Sequence, residues 1–64
     1  MTQKELSYVE DAIEHEKNII SIIDETLKKI ENENLIIFFN EELKLHEETK
    51  EKLINMMEEK AHEW

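Results

Sequence analysis

Glu16 and His46 stand where a regular apolar pattern should continue, and their side chains are of types that do chemistry. Glu42 lies four residues before His46 and falls within the same helical arc. Carboxylates and imidazoles together suit a first-row transition metal, namely iron, manganese or zinc. The same positions also fit a metal-free polar layer. Glu16 can form an ion pair with Lys50, and His46 can hydrogen-bond Glu16 or Thr49. A layer of that kind sets register and partner orientation, as polar core positions do in coiled coils. Either arrangement relieves the cost of enclosing polar groups. His15 falls in a side stripe and reads as a half-exposed packing residue. His62 lies close to the C-terminus, where sites are rarely held. Neither is counted as a ligand. The sequence holds no glycine-rich phosphate loop, no nucleophile elbow and no cysteine, so any catalysis would have to be metal-based.

Two helices must position these residues. Thr2 and Glu5 form a T-x-x-E capping box, so a first helix starts near Gln3. Its apolar positions are Leu6, Val9, Ile13, Ile20, Ile23, Leu27 and Ile30, with Glu16 in the single gap. Tyr8, Ala12, Ile19 and Ile22 broaden that stripe on one side. The polar run Glu31-Asn32-Glu33-Asn34 interrupts the pattern, and Asn suits both helix ends and helix caps. The second stripe is Ile36, Phe39, Leu43, Leu53 and Met57, broken at His46 and Lys50. Leu35, Phe38, Leu45, Ile54, Met56, Ala61 and Trp64 widen it, and Trp64 suits a cover for the open end of the bundle. The expected boundaries are a first helix over about 3–31, a turn over about 32–34 and a second helix over about 35–62. Folding about Glu33 sets Leu27 against Phe39, Ile23 against Leu43, Ile13 against Leu53 and Val9 against Met57. It also sets Glu16 against Lys50, with His46 about one turn, roughly 6 Å, away.

Composition bounds the rest. Sixty-four residues make one domain, and so short a chain buries little apolar surface by itself. Small domains compensate with disulfides, metals or partner chains, and cysteine is absent. Both apolar stripes are too wide for one neighbouring helix to cover. The expected fold is therefore all-α: an antiparallel two-helix hairpin that dimerises into a four-helix bundle. The net charge of −9 argues against nucleic acid and anionic membrane surfaces, which are bound through basic patches. It suits cations or a basic protein partner. Neither a transmembrane span nor an apolar signal core is visible, which reads as a soluble, cytoplasmic protein. All eight basic residues are Lys, and Ile and Asn are abundant, as in an AT-rich bacterial genome.

Glu16 on the first helix, with Glu42 and His46 on the second, resembles the half-bundle of ferritin-like proteins. Those carry one Glu and then an E-x-x-H pair, and two halves enclose a di-iron site. The small encapsulated ferritins build that site between hairpin chains. Here the spacing is E-x-x-x-H, and Leu43 stands where the family's Glu would be. Residues four apart still share a helix face. The segments Tyr8-Val9-Glu10-Asp11-Ala12, His15-Glu16 and Leu43-Lys44-Leu45-His46 resemble short clostridial proteins related to spore coat protein F, also classed as ferritin-like. The resemblance implies ferrous oxidation or cation storage, with the Glu16 carboxylates bridging ions and His46 terminating each. It also allows a spore-associated location. The competing expectation is a non-enzymatic protein: a spore component, or an acidic adaptor or inhibitor that covers a basic surface.

Overall fold

The computed structural model describes residues 1–60. The expectations for Ala61, His62 and Trp64, and for a second helix ending at 62, lie outside the described residues.

Thr2 caps the first helix, α1 (Gln3–Leu27). Its hydroxyl accepts from the Glu5 N–H at 3.1 Å, and the Glu5 carboxylate accepts from the Thr2 N–H at 2.8 Å. The reciprocal pair satisfies two of the donors that a helix start leaves open. The hydrogen bond from the Thr2 N–H, with a smaller contribution from the Thr2 side chain, holds the Glu5 carboxyl below its usual pKa.

α1 stops four residues earlier than the apolar pattern suggests, at Leu27 rather than about 31. Two local features account for this. The Thr26 carbonyl closes the end by accepting from both the Lys29 N–H at 3.0 Å and the Ile30 N–H at 3.2 Å. Asn32, not Asn34, then caps α2 (Glu33–Lys60), its side-chain oxygen accepting from the Leu35 N–H at 3.1 Å. An N-cap residue leaves helical geometry, so the chain must already have unwound before Asn32. Glu33 follows in the first turn, where a carboxylate suits the positive end of the helix dipole. The turn needs no residue of positive φ, which is why it forms without glycine.

α1 and α2 pack side by side as an all-α hairpin measuring 49 × 14 × 11 Å. Its radius of gyration is 14.8 Å, whereas a compact chain of this length has about 11 Å. Among the described residues only Ile13 and Ile23 are buried, at 6% and 5% exposure. Leu6, Val9, Ile20 and Leu27 of α1 are half-buried, as are Ile36, Phe39, Leu43, Leu53 and Met57 of α2. The accessible surface is 5083 Å². A compact 7.8 kDa monomer exposes about 4,400 Å². The excess is thus about 700 Å².

Much of the exposed apolar surface lies on one side. Tyr8 and Ile22 of α1 are exposed, as are Leu35, Phe38, Leu45 and Met56 of α2. At 100° per residue, Tyr8, Ala12, Ile19 and Ile22 lie about 40–120° to one side of Glu16, and Leu35, Phe38, Leu45 and Met56 lie about 20–100° to one side of His46. The rotational sense is the same on both helices. A two-fold axis normal to the plane of the hairpin exchanges antiparallel helices and keeps each broad side in place. Equal rotational sense therefore means the same side, and the two stripes form one face. Ile37, also exposed, points the opposite way from His46 on this wheel. No helix among the described residues is long and apolar enough to cross a membrane.

Candidate functional site

The three residues singled out by type converge at one level. His46 Nδ1 lies 2.5 Å from Glu16 Oε2 across the two helices. His46 Nε2 lies 3.6 Å from Glu42 Oε2 on its own helix. The side chains of Glu16, His46 and Glu42 are 17%, 28% and 35% exposed, so Glu16 sits deepest and Glu42 nearest the open side.

A carboxylate only accepts, so the proton in the short contact belongs to Nδ1, which donates to Glu16. In the neutral form of the ring the lone pair is then on Nε2. That lone pair faces Glu42 across a gap slightly too long for a hydrogen bond. Carboxylate–histidine pairs of this form orient a metal-ligating imidazole and raise its basicity. The donor types fit a transition metal. One chain alone offers too few: among the described residues no three His, Asp or Glu side chains are placed to hold one ion.

Lys50 does not occupy the place expected of it. Glu16 meets His46 instead, and among the described residues no ion pair joins Glu16 to Lys50. The residue numbers at this contact total 62 rather than about 66, a shift of four residues, or one helical turn. The cause is the early end of α1 together with the Asn32 cap, which move the centre of the turn back along the chain. Lys50 remains half-buried, Thr49 is exposed and stands apart from the layer, and His15 is exposed rather than half-exposed. On the surface, Glu25 pairs with Lys28 at 3.3 Å.

A surface depression of about 460 Å³ runs between Lys44 and Asn55 and is lined by α2 alone. It lies on the outer side of that helix, away from the polar layer, so its volume carries no weight against the geometry of His46. No protein-family model matches the sequence, and no curated protein or solved structure matches it either.

Proposed function

We propose that the chain works as a homodimeric, ferritin-like four-helix bundle that binds a transition metal through Glu16, Glu42 and His46. One observation carries this reading: both ring nitrogens of His46 face carboxylates, one from each helix, at mid-length of the hairpin. Dimerisation is supported by the lopsided apolar face. The hairpin's excess of accessible surface over a compact chain of its mass, about 700 Å², is close to the roughly 800 Å² that each partner buries in a stable interface. Iron, manganese or zinc fits the donor set. Stored cations or ferrous oxidation would be the corresponding activities, in the cytoplasm or in association with a spore.

A second reading is favoured by the Glu16–His46 contact itself, which satisfies both groups without an ion. In that case the layer sets register, and the charge of −9 serves to dock a basic protein. One experiment separates the two. Purified chain is tested by light scattering and by thermal melts with and without ferrous, manganous or zinc ions. Twice the 7.8 kDa chain mass and a metal-dependent rise in melting temperature support the first reading. A folded monomer refutes the dimer. A dimer whose melting ignores all three metals, yet which captures a basic protein in a salt-sensitive way, supports the second.

A further inference from the structure

Metal binding could use the three residues in more than one way, and the distances separate the roles. We infer that a single divalent ion is held by four donors, His46 Nε2 and Glu42 from each of two copies, while Glu16 positions the imidazole and does not touch the ion. This rests on the metal-binding dimer proposed above.

The first support is the state of Nδ1. It contacts Glu16 at 2.5 Å, which leaves Nε2 as the ring nitrogen able to reach a ligand. The second is the gap. His46 Nε2 and Glu42 Oε2 stand 3.6 Å apart. Ligands at 2.0–2.2 Å from a tetrahedral ion are separated by about 3.3–3.6 Å. The gap is therefore one edge of such a tetrahedron, needing almost no movement. The third is burial. Glu42 is displaced about 40° from His46 toward the exposed apolar side, where Phe38 and Leu45 are also exposed. A second copy covering that side would strip water from the Glu42 carboxylate, which is costly without a cation.

Symmetry completes the set. Glu16 is the fourteenth of the 25 residues of α1, and His46 is the fourteenth of the 28 residues of α2. A two-fold that overlaps the full helices keeps mid-length opposite mid-length, whether it runs along the bundle or across it. The two clusters then share one level. Two Glu42 carboxylates neutralise a divalent ion, and two neutral imidazoles fill its remaining positions. Zinc, or cobalt standing in for it, suits this nitrogen and oxygen set.

The test is cobaltous ion titrated into the full chain, followed by visible absorption and repeated with zinc by calorimetry. Expected are one ion per two chains and the intense absorption of four-coordinate cobalt. Glu42→Gln, checked for folding by circular dichroism, should abolish binding. Glu16→Gln still accepts from Nδ1. It should leave stoichiometry and spectrum unchanged while weakening affinity about 10–100-fold. Two ions per two chains, or weak six-coordinate absorption, would overturn the inference and leave metal binding standing. So would Glu16→Gln removing binding as completely as Glu42→Gln. A folded dimer that takes up neither these ions nor ferrous or manganous ion defeats the metal reading itself.

Discussion

Phe38 offers a sharp test of the apolar face. Its side chain is 50% exposed in the hairpin and lies on the side where both stripes fall. A phenylalanine covers about 150–250 Å² when fully buried, so roughly 100 Å² remains for a partner to cover. At about 25 cal/mol per Å² that area is worth about 2.5 kcal/mol, of which an alanine keeps a small part. Phe38→Ala should therefore cost about 2 kcal/mol per copy, or about 4 kcal/mol per dimer, which is about a thousandfold in Kd. Within the hairpin Phe38 makes an edge-to-face contact with Phe39, whose ring centre lies 5.2 Å away. Ile37→Ala is the matched control, because Ile37 is 58% exposed and points to the opposite side. Sedimentation velocity over a concentration series reads both Kd values. Dimers unchanged in Phe38→Ala, or weakened equally in Ile37→Ala, would refute the assignment of the interface to this side.

Three further outcomes are expected. Replacing Glu16 and His46 together with Leu should raise the melting temperature of metal-free protein, since a half-buried polar pair in an apolar seam gives way to apolar packing; the same change should erase any metal-dependent rise, and a metal-free loss would show that the pair stabilises the fold. Asn32→Ala removes the cap on the Leu35 amide and should cost about 1 kcal/mol in thermal melts followed by circular dichroism, a loss that Asn34→Ala should not reproduce. The folded Glu5 carboxyl lies below its usual pKa, so its contribution is full above the unfolded value and is lost as pH falls through the lower folded value. Amide exchange at the start of α1 should quicken on acidification beyond the intrinsic pH trend, and Glu5→Gln should remove that excess. Equal pH response in the two proteins would separate the capping box from the titration.

Much of this protein is written in local pattern. The T-x-x-E box at Thr2 marks where α1 begins, because capping involves only residues three apart. The 3- and 4-residue steps mark the two helices, because helical periodicity is a property of each segment alone. Glu16, Glu42 and His46 stand out for the same reason: each interrupts or borders an apolar arc, and types in an arc can be read without knowing what the arc faces. Tertiary structure decided which residues meet. The turn is centred about two residues earlier than polarity alone suggested, near 31 rather than 33, since several Asn and Glu residues are equally polar but only Asn32 places its oxygen on the Leu35 amide. Moving the centre by two residues moves the partner of Glu16 by four along α2, one turn of helix. It is why His46, and not Lys50, closes on Glu16. The single-sided apolar face was likewise not legible in either stripe. It arises because antiparallel packing places two stripes of equal rotational sense on the same side, a relation between helices that no segment carries by itself.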